Sequence, residues 1–231
     1  MKRFWKSAAA VPHGARAWSI ELDGRPVRTP ARALLQVGPE PLARAIAEEW
    51  QAAGETVDPR AMPLTGLANA ALDRVQPDAE AFAAGLAKYG ESDLLIYRAD
   101  TPRELARRQA AEWDPLLQWA RRRYDIDFVV TQGLSYVPQA PTTVARLAQA
   151  VAALDPFRLA GLSPLVTIGG SLVAGLAVLE DAFAPEEAWS AVTLDERWSQ
   201  EKWGADAEAE AALENRRADF MAAVRFLELL G

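Results

Sequence analysis

The side chains able to do chemistry in this chain are few in kind. There is no cysteine, and the single histidine is His13, between Pro12 and Gly14. A thiol nucleophile, a thiolate metal site and a disulfide are excluded. Most hydrolase triads, zinc sites and proton relays lack the imidazole they require. His13 sits among turn-forming residues with no partner identifiable in the sequence, and reads as a solvated side chain rather than a base. Acid–base work would fall to carboxylates, Lys, Tyr or Ser. The densest collection is Leu194-Asp195-Glu196-Arg197-Trp198-Ser199-Gln200-Glu201-Lys202-Trp203-Gly204. At about 100° per residue, Glu196 and Trp203 share a helix face, and Glu201 lies beside Trp198, one turn below Arg197. The two Trp point about 140° apart, so only one can readily be buried in the parent core. Three readings stay open. Both Trp wedge between core helices while the charges pair in solvent. An exposed Trp among acids and a Lys forms a protein-binding anchor. Or Glu196 and Glu201 make a carboxylate pair for glycoside hydrolysis or metal binding.

Other motifs have plainer explanations. Gly169-Gly170-Ser171 with Gly175 looks like a phosphate loop but lacks the Gly-Lys-Ser/Thr ending, and no GxGxxG occurs, so helix packing accounts for it better. Arg107-Arg108 and Arg121-Arg122-Arg123 are interrupted by Glu104, Glu112, Asp125 and Asp127. That pattern makes a salt-bridged, solvated face and not a nucleic-acid stripe. The chain holds eight Trp, of which most must be core. Trp50 falls on one helical stripe with Leu42 and Ile46 and is read as structural.

The elements that carry these residues change character along the chain. Trp18–Leu22 alternates as a strand, Asp23-Gly24 supplies the positive φ angles of a tight hairpin, and Arg25–Thr29 returns. Pro26 confines the return strand to an edge or a strand start. Ala33–Val37 is a third strand. The period then shifts to an amphipathic helix through Leu42, Ile46 and Trp50, stopped by Gly54, with Glu48-Glu49 turned away from its packed face. The turn-rich stretch from Gly54 to Pro63 marks a boundary, placing a small α/β domain at 1–60 and a helical domain at 61–231. Helices are expected over Leu64–Val75, Asp78–Tyr89, Pro102–Trp113, Pro115–Tyr124, Pro141–Leu154, Pro156–Leu162, Pro164–Phe183, Pro185–Val192, Leu194–Trp203 and Asp206–Leu230. Asp93–Arg98 is ambiguous, and Asp127–Val130 is a short strand. The second of the Pro102/Pro115 pair should start at an Asp114 cap.

Composition bounds the rest. The chain has 231 residues, 50% hydrophobic and 25% charged, with net charge −7 at pH 7. This is a folded protein with length enough for a real core, not a disordered tail. The acidic balance argues against a nucleic-acid or membrane-surface binder. Leu159–Leu179 is uncharged and about as long as a bilayer span. Its glycines and Pro164 make it a buried core helix rather than a membrane segment. No secretory signal or presequence is expected.

The ordered motifs resemble the assembly chaperone family for the α subunit of the ATP synthase F(1) sector, known in mitochondria as assembly factor 2, with bacterial relatives. The matching pieces are Lys2-Arg3-Phe4, Leu22 through Pro30, Leu42 through Trp50, Met62 through Ala68, and Asp73-Arg74-Val75. They continue with Tyr89 through Leu95, Tyr97-Arg98-Ala99, Trp113 through Leu117, and Leu194-Asp195-Glu196 through Trp203-Gly204. They cover nearly the whole chain in the family's order. Trp5 and Ser199 stand where Tyr and Gln are expected more often. The resemblance implies an α+β fold, in which a small two-layer α/β part with a β-hairpin sheet precedes a larger orthogonal helical bundle. It implies a chaperone and not an enzyme, binding free α subunit and preventing its aggregation until the β subunit replaces it. No cofactor, metal or catalytic residue is expected. The partner-binding residues carried over are Glu196, Trp198, Glu201 and Trp203. A carboxylate hydrolase using Glu196 and Glu201 is the alternative. The expected state is a monomer when free, with no nucleic acid and no stable membrane insertion. Its place is the bacterial cytoplasm, or the mitochondrial matrix for a processed form.

Overall fold

In the computed structural model, which describes residues 2–133, 135–204 and 206–231, the hairpin expected at Asp23-Gly24 is present. Asp23 has φ 49° and Gly24 φ 76°, the pair of positive angles a two-residue turn demands. They link β2 (Ala17–Leu22) to β3 (Arg25–Pro26). β1 (Ala8–His13) lies antiparallel on the other side of β2, and β4 (Gln36–Val37) pairs with β2 at Trp18 and Ser19. β1 was not expected. Its alanines and Pro12 have little intrinsic strand preference, and the full ladder from Ala8↔Leu22 to His13↔Ala17 makes it a strand. α1 (Glu40–Ala52) buries Leu42, Ile46 and Trp50 as its period requires.

Glu49 is not turned away into solvent but packs against the start of the next helix. Its carboxylate accepts the Leu64 and Thr65 backbone N–H groups at 2.8 Å each and the Thr65 hydroxyl at 2.7 Å. It thereby caps α2 (Pro63–Ala70), whose own N-cap position is Met62. α2 then widens into a π-helical turn over Ala71–Val75.

Contacts divide the chain into two compact units. The first comprises Met1–Ala79, Asp155–Gly161 and Ala222–Gly231; the second comprises Glu80–Leu154 and Leu162–Met221. The first unit's core runs from Trp5 and Ile20 through Leu42, Ile46 and Trp50 to Phe226. Trp5 and Trp50 meet edge-to-face at 5.2 Å, and the Trp5 indole N–H donates to the Trp50 carbonyl at 3.2 Å.

Later elements are α3 (Ala79–Ala87), β5 (Tyr97–Arg98), α4 (Arg103–Tyr124), β6 (Thr131–Gln132) and α5 (Pro141–Ala152). They are followed by α6 (Pro156–Gly169), α7 (Leu172–Leu179), α8 (Pro185–Val192), α9 (Leu194–Trp203) and α10 (Ala207–Glu228). A small sheet part followed by a larger helical part makes the fold α+β.

Three local expectations are corrected. α4 is one helix running through Pro115. Asp114 does not cap; it accepts from the Arg98 guanidinium at 2.7 Å. Buried Trp113, Leu116 and Leu117 on both sides of the proline offset the lost backbone bond. The break expected before Pro164 lies instead at Gly170, with φ 66°, and Ser171, whose hydroxyl caps α7 through the Ala174 N–H at 3.0 Å. Packing at this point is close, since a Cβ on Gly175 would stand 2.9 Å from Val166. Asp127–Val130 is not a strand. The Gln139 side-chain amide bonds both backbone groups of Val129 in place of a partner strand. The strand pairing in this region is parallel and joins β5 to β6, at Tyr97↔Thr131 and Arg98↔Gln132. Among the described residues no helix is long and apolar enough to cross a membrane.

Candidate functional site

α9 begins at Thr193, whose hydroxyl donates to the Trp189 carbonyl at 2.7 Å, and ends at Gly204 with φ 82°. Between them the helical step separates the two tryptophans as the 100° rotation requires. Trp198 is 3% exposed and Trp203 79%. Leu194 is buried with Trp198 on the inward face.

The charged side chains of α9 are all tied down. Asp195 accepts from the Gln109 amide at 2.8 Å, and Gln109 in turn accepts the Ala99 N–H at 2.7 Å. Glu196 holds Arg216 of α10 through both carboxylate oxygens, one bond at 2.9 Å. That bond raises the Arg216 pKa above its already high ordinary value. Arg197 reaches Glu112 of α4 at 3.0 Å and the Ser190 carbonyl and hydroxyl at 2.9 and 2.8 Å. Glu201 accepts from Arg108 of α4 at 2.7 Å, and Lys202 lies 3.5 Å from Glu104.

Trp198 is the platform of this lattice. The Arg108 guanidinium carbon lies 4.7 Å from its ring centroid and the Lys202 ammonium 4.5 Å. Both are within cation–π range. Glu201 and Glu104 neutralise those cations, so the buried indole lies under a balanced polar cover. α9 is thus fixed at its inner face by packing and at its flanks by ion pairs, with Trp203 projecting from the last turn.

Of the residues singled out from sequence, Trp198, Glu201 and Lys202 come together through Arg108. Glu196 does not join them. It is bound to a different helix, so Glu196 and Glu201 do not face one another as a hydrolytic carboxylate pair. The residues missed were Arg108, Glu112, Gln109 and Arg216. Their sequence trace was the basic run at Arg107-Arg108 with Glu112 among the acids that interrupt it, read as a salt-bridged, solvated face; Gln109 and Arg216 left none. Among the described residues no group of three or more His, Asp or Glu is placed to hold a metal ion. His13 is exposed at the end of β1.

Comparison with known proteins gives a consistent result. The family of ATP12 chaperone proteins matches residues 2–121. The crystal structure of Atp12 from Paracoccus denitrificans is similar with a TM-score of 0.94 at 44% identity, over 100% of this chain and 98% of that one. The crystal structure of the Atu1473 protein from Agrobacterium tumefaciens gives 0.95 at 35% identity, over 100% of this chain and 86% of that one.

Proposed function

This chain belongs to the ATP12 chaperone family, whose role lies in ATP synthase assembly, and from that premise we propose that its client is the free α subunit of the F(1) sector. It holds that subunit until the β subunit takes its place, and does so with no bond made or broken. An unassembled subunit exposes an apolar interface that would otherwise self-associate. Covering it reversibly calls for a modest contact with few strong anchors.

The observation that supports this reading most directly is Trp203. It is 79% exposed at the end of a helix whose charged side chains are already committed within the fold. A large aromatic presented on a pre-organised helix loses little conformational entropy on docking. Glu196, Trp198 and Glu201 set the position of that helix, and Glu196 and Glu201 remain half-exposed at its flanks. A net charge of −7 keeps the free protein monomeric and soluble and steers it toward basic client surfaces. On this reading the protein works where F(1) subunits are made, in the bacterial cytoplasm or, for a processed form, the mitochondrial matrix.

The test is co-expression with the cognate α subunit. The native protein should keep that subunit in the soluble fraction. Glu196→Lys should lose much of this protection while unfolding within about 1 kcal/mol of native, because an exposed ion pair contributes little stability. An α subunit that aggregates equally with and without this protein would remove the proposal.

A further inference from the structure

A groove of about 500 Å³ opens on the second unit between α4 and α8. Its floor is apolar, made by Pro115, Leu116 and Phe183, and its rim carries Glu112, Glu186 and Glu187. We infer that this groove is a docking site for a Lys or Arg side chain carried on an apolar segment of a partner protein.

The floor suits the stem of such a side chain. Pro115 is exposed, and Phe183 is half-buried with its ring edge-on to Trp119 at 6.5 Å. Trp119 continues the aromatic surface to Tyr124 at 5.6 Å. Long cationic side chains lay their methylenes along apolar surface and reach outward with the charged head. The head would meet carboxylates. Glu112 is bound to Arg197 at 3.0 Å and takes the Ser190 hydroxyl at 3.3 Å. Glu187 accepts the Ala184 N–H at 3.2 Å and pairs with no cation among the described residues. Glu186 is exposed and has no partner among the described residues. One guanidinium against three carboxylates leaves the rim net negative beside low-polarity walls, where an incoming cation is attracted more strongly than in open water.

A second copy of this chain is a poor occupant, since each carries a net charge of −7 and the two repel. The groove is also continuous with the face already described. Glu112 belongs to its rim and simultaneously holds Arg197 of α9. A partner that covers Trp203 and extends along α9 toward Arg197 therefore meets this groove next. The inference rests on the chaperone reading only in taking the partner to be a protein.

The probe is a short synthetic amphipathic peptide of Leu and Lys, with a counterpart carrying Glu for every Lys, titrated into the intact folded chain and followed by backbone amide shifts. The Lys peptide should shift amides of α8 and of α4 around Pro115, and the Glu peptide should not. Glu186→Lys should weaken binding by about tenfold, Glu186→Gln by less, and the native affinity should fall with added salt. Equal binding of both peptides, shifts confined to other elements, or an unchanged affinity in Glu186→Lys would each overturn the assignment. The client assay separates the two ideas. A groove that binds the peptide in a protein that fails to protect α subunit sinks the client and spares the groove. The reverse pattern removes the groove alone.

Discussion

Two pairs of tryptophans are used in opposite ways. In the first unit Trp5 and Trp50 both point inward, ring against ring, within a core whose other members are apolar. In the second unit Trp198 goes in and Trp203 goes out, and the helix that carries them is held by ion pairs to α4 and α10. The interiors differ in the same sense. The buried polar residues of the first unit are the hydroxyl carriers Ser19, Thr29 and Thr65, whereas the second unit buries Asp93 and Arg98. Apolar packing fixes a shape but leaves little to present to a partner. A frame of charge pairs costs more to build, and it holds a surface helix in one orientation while leaving a side chain free at its end.

The largest expected effect lies in the first unit. Trp50→Ala should destabilise the protein by about 3–5 kcal/mol in chemical denaturation, from lost transfer free energy and the cavity against Trp5. Trp50→Phe should cost much less, because the Trp50 indole N–H is buried without a partner and its removal relieves an unsatisfied donor. A loss below about 1 kcal/mol for Trp50→Ala would mean the two pairs are not used differently after all.

This division was partly legible in the residues. The Asp23-Gly24 hairpin and the Leu42, Ile46, Trp50 stripe are local patterns, and local patterns survive into the fold. The one-in, one-out disposition of Trp198 and Trp203 was legible only in part: helical rotation points the two rings about 140° apart, but a reading with both buried between core helices stayed open. What was hidden is whatever depends on a distant partner. β1 is a strand because β2 lies beside it. Pro115 and Pro164 sit inside helices because buried neighbours on either side outweigh a lost hydrogen bond. Glu49 caps a helix that begins fourteen positions later, at Pro63. Around α9 the sequence showed the acids and not the partners that bind them, since Arg108 is 93 residues from Glu201 and Gln109 is 86 from Asp195. No periodicity reports a pairing across that separation.

The second prediction concerns the charged interior. Asp93 is fully buried between the turn that follows α3 and the start of α7, accepting the Leu95 N–H at 3.0 Å and the Val173 N–H at 2.9 Å. Burial pushes its carboxyl up from 3.8 to about 6, against the opposing pull of those donors. The folded state therefore holds this proton more tightly than the unfolded chain. The stability associated with it is fully present below about pH 4 and is lost as pH rises through about 6, by roughly 2–3 kcal/mol. Asp93→Asn cannot ionise. The stability difference, native minus variant, should fall by that amount between about pH 4 and pH 7 in denaturant titrations. A gap that stays constant over this range would show that Asp93 keeps one protonation state throughout. No counterpart is expected in the first unit, whose core buries no carboxylate among the described residues.

The smallest effect on stability, and the most informative for function, belongs to Trp203. An indole that is 79% exposed contributes little to the fold, so Trp203→Ala should change unfolding free energy by less than about 0.5 kcal/mol. If the side chain anchors a client, the same substitution should weaken that contact by about 2 kcal/mol or more, roughly thirtyfold in affinity, as deletion of a central aromatic anchor does. Trp198→Ala reverses the proportions. It removes the platform beneath Arg108 and Lys202, so stability and client binding should fall together, and binding should recover in part with Trp198→Phe. The ratio of binding loss to stability loss is the discriminating quantity, high for Trp203 and near one for Trp198. Equal ratios at the two positions would mean that α9 acts only through the integrity of its lattice. The outward tryptophan would then have no contact of its own.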